Sequence, residues 1–356
     1  MTVTMRSFAK INLGLRIGAA RADGFHELLT VYQTIGLHDV IRVSAGRGTG
    51  IVIRCEDPRV PRDESNTCYR IVEKALAALR AKASVVIEIE KRLPVKGGLG
   101  GASANAVATL LGLERALKKS LSASEKLRIA AEVGSDLPLF LVGGTVLGMG
   151  RGEQVYPLAD FPAMVCVVVT PEVGVSTPKA FAEWDRMLSE KQGLKPRYSS
   201  EADTALKGRS STVSSELREA KSVPKLTDAA PSDRMMELGR ALSAGLSDPY
   251  SSAPSDFLAR RGRAENPLLW LVRAGIENDF ERVVFPEYPE LMDVKRALLR
   301  AGAKYASLSG SGSTLYGLFA SKASAAQAVV RLRKQGLAAQ ATVTLTRRAY
   351  WKWVVG

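Results

Sequence analysis

Three groups of residues in this chain could do chemistry. The first is Gly97, Gly98, Gly100 and Gly101, followed closely by Ser103. Glycine accepts positive φ and lets a ligand approach the backbone. The free N–H groups at a helix start attract anions. A tight strand-to-helix turn needs one or two glycines, so four in five residues point to a phosphate cradle. G-x-x-x-x-G-K-[ST] is absent, and G-x-G-x-x-G fails because Ser103 stands at its third glycine, so the loop is neither of those types. The second group is Asp136, within Gly134-Ser135-Asp136-Leu137-Pro138. A positioned carboxylate can take the proton of an attacking hydroxyl. Read locally, an Asp between a helix end and an apolar run is also a plain turn residue. The third group is Lys10 and Asn12 in the apolar run Phe8-Ala9-Lys10-Ile11-Asn12-Leu13, with His26 beyond the turn at Ala22-Asp23-Gly24. Lys10 on an edge strand would point to solvent, and His26 alone reads as a satisfied structural histidine.

Other chemistries find little support. There are two histidines, His26 and His38, and His26-Glu27 lacks the second His of a zinc-protease helix. Cys55, Cys68 and Cys166 are odd in number and widely spaced, which predicts reduced thiols in a cytoplasm and no disulfide or zinc framework. No G-x-S-x-G elbow fits Ser309 or Ser311. No apolar run reaches membrane-spanning length, and Met1 to Lys10 lacks a signal-peptide core. The net charge of +14 suits either a nucleic-acid binder or an enzyme for small polyanions. Clusters such as Arg331, Arg333, Lys334 and Arg347, Arg348 read as solvated faces. With aromatics at 6% no basic stripe interleaved with rings is visible, and composition alone leaves both readings open.

The elements that must carry these groups follow from periodicity. The 356 residues suggest two domains. Val85 to Glu90 reads as a strand before the glycine loop, and Ala106, Val107, Leu110, Leu111, Leu113 and Leu117 as a helix behind it. Arg6–Ile17 and Val31–Ile35 read as strands, and Val40–Ser44 with Ile51–Arg54 as a short hairpin. Asn66–Ala81 is an amphipathic helix. Ser124 is placed as the cap of a helix ending at Gly134. Val146–Gly148 and Val165–Thr170 are strands, and Pro178 opens a helix carrying Phe181 and Trp184. From about Met187 to Glu265 the chain is polar and poor in aromatics, which predicts a flexible insertion with at most a lone helix at Met235–Leu246. Helices at Pro267–Ala274, Pro289–Leu299 and Ala325–Leu332 follow, with strands at Leu315–Phe319 and Ala341–Leu345. Ser309-Gly310-Ser311-Gly312-Ser313-Thr314 is a second glycine-serine loop.

Three motifs in this order resemble the GHMP kinases: Phe8 to Leu13, Pro94 to Asn105, and Ser309 to Thr314. Asp23-Gly24-Phe25-His26-Glu27-Leu28, Gly134 to Pro138, Gly150-Arg151-Gly152-Glu153, Gly174-Val175-Ser176-Thr177-Pro178 and Asn278-Asp279-Phe280-Glu281 are similar to one branch, whose substrate is cytidine diphosphate methylerythritol. The resemblance covers about 6–186 and 266–320. It implies an α+β fold of two domains with the active site in the cleft between them. Residues 1–162 would form an ATP-binding domain resembling the second domain of ribosomal protein S5. Residues 163–356 would form an α/β sandwich interrupted by the insertion at about 187–265.

It further implies ATP and Mg2+ as cofactors and phosphorylation of a 2-hydroxyl in the non-mevalonate isoprenoid pathway. Asp136 would be the catalytic base and Lys10 its partner. Pro94, Val95, Lys96, Gly97, Gly98, Leu99, Gly100, Gly101, Ala102, Ser103 and Ala104 would bind ATP, with Ser103 the candidate near metal or phosphate. Asn12, Phe25, His26 and Phe181 would hold the substrate, which gives His26 a ligand contact. Partners would be small molecules, with no nucleic acid or membrane, and the assembly a cytoplasmic monomer or homodimer. The sequence departs from the family pattern at Lys96, where a glycine is common, at Ala104, where a serine is common, and at Phe25, where Tyr is frequent. A mevalonate- or homoserine-kinase-like enzyme is the nearest alternative, and an RNA-binding protein with an S5-like domain a more distant one.

Overall fold

The computed structural model describes residues 2–95, 97–193 and 277–354. Two long strands, β1 (Thr2–Ala20) and β2 (His26–Gly46), run antiparallel on either side of the turn at 22–24. Both exceed the expected spans, because the apolar, β-branched pattern continues through short polar interruptions. Register shifts at Phe8/Lys10, Asn12/Gly14 and Ile17/Ala20 bend the pair. One pair of strands thereby serves two packed layers.

The expected hairpin at 40–54 does not form. β3 (Gly50–Cys55) pairs in parallel with β4 (Ser84–Glu90), and β4 lies between β3 and β2. The cause is α1 (Thr67–Ala78), whose apolar face must be buried. It does so as the crossover of a β-α-β unit, which carries β4 alongside β3 rather than returning β3 to β2. β5 (Thr145–Met149) and β6 (Gln154–Pro157) complete the first sheet in the order β3-β4-β2-β5-β6, with β1 also on β2. Packed with α1 are α2 (Gly101–Leu117), α3 (Ala123–Val133) and α4 (Leu137–Val142), around Met5, Val43, Val85, Ile87, Leu110 and Phe140. Ser122, not Ser124, caps α3: its backbone is extended and its hydroxyl accepts the Glu125 N–H.

The second sheet is antiparallel, in the order β10-β7-β9-β8, from β7 (Val165–Val169), β8 (Tyr305–Leu308), β9 (Leu315–Phe319) and β10 (Ala339–Val343). With it pack α5 (Thr177–Gly193), α6 (Glu281–Glu287), α7 (Pro289–Arg300) and α8 (Lys322–Lys334). Trp184, Leu291, Leu298 and Leu315 centre this core, and Leu15 and Ile17 of β1 join it. A third cluster, including Ile11, Leu13, Val31, Cys166, Val168 and Tyr316, seals the two sheets together. The last helix, α9 (Arg347–Val354), returns to the first core: Tyr350 donates to the Phe140 carbonyl at 2.7 Å and Trp351 to that of Val142 at 3.0 Å.

The insertion expected from Met187 begins later. α5 runs on to Gly193, and Met187 and Leu188 pack against the second core, because two apolar residues at the helix's inner face outweigh the polar composition around them. The remainder of 187–265 and the helices expected at 235–246 and 267–274 lie outside the described residues. Among the described residues no helix is long and apolar enough to cross a membrane. The three cysteines are free and buried.

Candidate active site

The pairing of β1 with β2 sets Lys10 opposite Thr34 and Asn12 opposite Tyr32, so all four side chains share one face. Lys10 is buried, not solvent-facing. Its Nζ lies 2.7 Å from Asn12 Oδ1 and 3.3 Å from Asp136 Oδ2. A buried ammonium is costly unless paired and hydrogen-bonded, and these partners offset that cost. The Asn12 amide is fixed by donating to Thr30 Oγ1 at 2.8 Å, which itself donates to the Gly14 carbonyl at 2.8 Å. Asp136 stands at the N-terminus of α4, yet its side chain caps nothing. It turns instead to Lys10 and accepts a 3.0 Å bond from the Tyr32 hydroxyl at Oδ1. That leaves it one-third exposed, at 33%. A turn residue would not be so engaged. Burial, reinforced by the Asp136 charge, holds the Tyr32 phenol well above its ordinary pKa.

The glycine loop leaves β4 under the control of Asp39. That fully buried carboxylate accepts the Arg92 and Leu93 N–H groups at 2.7 Å, Lys91 Nζ at 2.7 Å and Asn105 Nδ2 at 2.9 Å. It thus ties the strand exit to the first turns of α2. Gly98 and Gly100 take φ of +79° and +68°. A Cβ on Gly98 would overlap the Ser309 carbonyl oxygen, and one on Gly100 would lie 3.0 Å from Lys10 Cγ and Phe140 Cζ. The second glycine-serine loop clamps the first: Ser309 Oγ donates to the Gly98 carbonyl at 3.0 Å and Thr314 N to that of Gly97 at 3.1 Å. Asn278 Nδ2 steadies the clamp through the Leu308 and Gly310 carbonyls at 2.9 and 2.7 Å.

Two cavities flank this loop. One, of about 400 Å³, is lined by Pro61, Asn66 and Thr67 together with Pro94, Val95 and the run Gly97 to Ser103. The other, of about 300 Å³, is lined by Lys10, Asn12, Tyr32 and Asp136 at one end and Phe25, His26, Arg151 and Phe181 at the other. Gly98 and Gly100 belong to both walls. In the second cavity His26 Nε2 is 2.7 Å from Asp185 Oδ1, and its ring stacks on Phe181 with centroids 4.8 Å apart. Phe25 is 49% exposed, with the Arg151 guanidinium 5.0 Å from its ring centroid. A larger cavity of about 720 Å³ lies against β3 and β4. Its ion pairs Arg42–Glu90 (2.9 Å) and Arg54–Glu88 (3.4 Å) neutralise one another, so it lacks the converging groups of a catalytic centre.

The GHMP kinases N terminal domain model matches residues 66–144 and the GHMP kinases C terminal model residues 266–338. A 4-diphosphocytidyl-2-C-methyl-D-erythritol kinase from Solibacter usitatus is 33% identical over 351 residues, covering 98% of this chain and 91% of the relative. One from Synechococcus sp. (strain JA-2-3B'a(2-13)) is 33% identical over 333 residues, covering 93% and 90%. The chain belongs to the 4-diphosphocytidyl-2-C-methyl-D-erythritol kinase branch of the GHMP kinases. A crystal structure of 4-(cytidine 5'-diphospho)-2C-methyl-D-erythritol kinase is similar at TM-score 0.63 and 26% identity, covering 96% of this chain and 99% of that one. Homoserine kinase from Cytophaga hutchinsonii, at TM-score 0.64 and 19% identity over 97% and 95%, shares the fold. The two-domain α+β GHMP kinase fold is thus the one expected from sequence.

Within this GHMP kinase fold the expected residues fall into place unevenly. Lys10, Asn12 and Asp136 converge at one end of the smaller cavity, and Phe25, His26 and Phe181 line its other end. His26 and Phe181 already touch face to face, so a further ring would have to stack outside that pair or on Phe25. Nine of the eleven expected ATP-site residues, from Pro94 to Ser103, line the larger flanking cavity. Ala104 does not: it is buried in the first core on α2. Lys96 lies outside the described residues. Sequence reasoning missed Tyr32, Asp39 and Asp185, and gave no role to Arg151 and Asn278, although both lie in motifs that it singled out. Asp185 follows Phe181 by one helical turn, and Tyr32 alternates in phase with Thr30 and Thr34, so each left a signal. Asp39 left none.

Proposed function

We propose that this protein uses ATP to phosphorylate the 2-hydroxyl of 4-diphosphocytidyl-2-C-methyl-D-erythritol in the non-mevalonate isoprenoid pathway. The observation that carries the reading is the Lys10–Asp136 pair, 3.3 Å apart, in a cavity divided from its neighbour by Gly98 and Gly100. ATP occupies the cavity lined by Pro94 to Ser103. The N-cap residue of α2 is Gly100, which supplies no capping side chain, so the first N–H groups of α2 remain for the triphosphate. The cytidyl substrate enters the other cavity, its base end toward Phe25, His26 and Phe181 and its polyol toward Asn12 and Lys10.

Asp136 takes the proton of the attacking hydroxyl. A bond forms from that oxygen to the γ-phosphorus, the bond from the γ-phosphorus to its bridging oxygen breaks, and ADP departs. Lys10 stabilises the charge that develops between them. Phosphoryl transfer asks mainly for positioning and electrostatics, which buried, hydrogen-bonded side chains on paired strands supply. Among the described residues no cluster of three or more His, Cys, Asp or Glu could cage a metal. The Ser103 hydroxyl in the wall of the larger flanking cavity would be the protein group offered to Mg2+ bound with the triphosphate. Bound with ATP, Mg2+ would supply positive charge to neutralise that of the transferring phosphoryl group.

Release of ADP from ATP, measured with the cytidyl substrate, mevalonate or homoserine in turn, tests the assignment. Turnover should depend on the cytidyl compound. Equal or faster turnover with mevalonate or homoserine would replace this reading with that of another GHMP kinase.

A further inference from the structure

Tyr32 contacts both Lys10 and Asp136 without being a candidate for the proton transfer itself. Its hydroxyl donates to Asp136 Oδ1 at 3.0 Å, and the Lys10 ammonium stands 5.4 Å from its ring centroid. It occupies the middle of the sheet, paired with Asn12 of β1 on one side and Val146 of β5 on the other. Two glycines make room for it. A Cβ on Gly148 would overlap the Tyr32 ring, and one on Gly152 would overlap the hydroxyl. A buried tyrosine ring needs a partner for its hydroxyl. Here that partner is a carboxylate facing the cavity, where a backbone carbonyl would have served packing equally well.

We propose that Tyr32 is a positioning residue for phosphoryl transfer. It holds the Asp136 carboxylate in the orientation that points its free lone pairs into the substrate cavity. An ionised carboxylate has about four acceptor positions. Tyr32 takes one on Oδ1 and Lys10 faces Oδ2, so the carboxyl plane is fixed at both oxygens while acceptor capacity is left for the substrate hydroxyl. The phenol stays protonated in this site, since burial and the neighbouring negative charge both oppose its ionisation, so it remains a permanent donor. Without it Asp136 is held through Lys10 alone, at the longer of the two distances, and side chains near a reacting centre lose rate steeply when misplaced. This inference rests on the reading of Asp136 as the base.

The test is a double-mutant cycle of Tyr32→Phe and Asp136→Asn. Tyr32→Phe keeps the ring under Lys10 and removes only the donor. We expect kcat to fall about tenfold, the size associated with a hydrogen bond to a charged group, while KM for ATP and for the cytidyl substrate stays within about twofold. In the Asp136→Asn background the same change should alter the residual turnover by less than about twofold, which a purely structural role would not produce. Thermal melting of each variant, read beside the kinetics, separates a loss of fold from a loss of position. If Asp136→Asn cripples the enzyme but Tyr32→Phe turns over at the full rate, Asp136 stands as base and the role of Tyr32 is overturned. The role is equally overturned if Tyr32→Phe slows both backgrounds alike. Near-native turnover of Asp136→Asn would remove the base assignment, and this inference with it.

Discussion

At the inner end of the smaller flanking cavity, Lys10, Asn12 and Tyr32 stand on one face of paired strands and are almost completely buried. At the outer end, Phe25 and His26 flank a turn, and Phe181 and Asp185 ride on α5. Phe25 is 49% exposed there and the Asp185 side chain 51%. The inner end is held by a hydrogen-bonded network of buried side chains that closes on the one-third exposed Asp136. The outer end relies on ring stacking and on one histidine–carboxylate contact reached from solvent. The difference teaches a division of labour. On the proposed reading, the groups at the reacting end sit on the paired strands, and the groups at the base end sit at the strand start, the turn and α5, where Phe25 and Asp185 are half exposed. Damage inside should therefore lower kcat, and damage outside should raise KM.

The largest effect belongs to the inner end. Asp136→Asn should lower kcat by roughly 10²–10⁴ and leave ATP binding intact, as read by steady-state ADP release and by nucleotide titration. Near-native turnover would dissolve the distinction altogether. Gly98 lines both cavities and so tests the boundary. Gly98→Ala forces a Cβ into the left-handed region, at about 1–2 kcal/mol, and against the Ser309 carbonyl. Stability should fall by at least that amount in denaturant unfolding, and KM should rise for both substrates. An effect on only one substrate would mean that the loop walls a single cavity.

At the outer end, His26→Ala should raise KM for the cytidyl substrate about tenfold, consistent with losing a stack and a hydrogen bond, with kcat and the ATP KM nearly unchanged. If kcat fell instead, the two ends would be one unit. The smallest effect is expected at Cys68, a buried thiol in the wall of the larger flanking cavity. Burial pushes the Cys68 thiol from 9.0 up to about 12. A thiol that is harder to ionise in the fold stabilises it fully below its unfolded value, and that contribution is lost as pH rises through the window from about 9 to about 12. Native protein at pH 8 should therefore show no fast thiol reaction at Cys68 and keep its activity in the reagent. Rapid modification with loss of turnover would contradict this.

What was legible in the sequence followed the range of the interactions. The glycine loop could be read because its purpose is local: strand, glycines and helix start lie within a few residues of one another. The capped and amphipathic helices were legible for the same reason, and even there the cap slipped from Ser122 to Ser124. The surroundings of Lys10 were legible only through the family resemblance, which paired it with Asp136; the residues alone put it at solvent, because Asp136 is 126 positions away and only the folded chain brings it within 3.3 Å. The false hairpin at 40–54 arose because β4, the true neighbour of both strands, comes about thirty residues after the second of them. Asp39 was invisible. An aspartate beside a histidine in a strand carries no sign that its partners, Lys91 to Leu93 and Asn105, are 52 to 66 residues away.

The return of α9 to the first core has a temporal meaning. A ribosome delivers β1 to α4 long before Arg347 to Val354. Until then the layer around Phe140 lacks Tyr350 and Val354, and the Phe140 and Val142 carbonyls lack the donors that satisfy them in the finished molecule. The half of the protein made first therefore waits for a helix that is made after the second sheet. Because α9 follows the second sheet in sequence yet fastens the first layer, the first half reaches its finished packing only after synthesis has passed through the second.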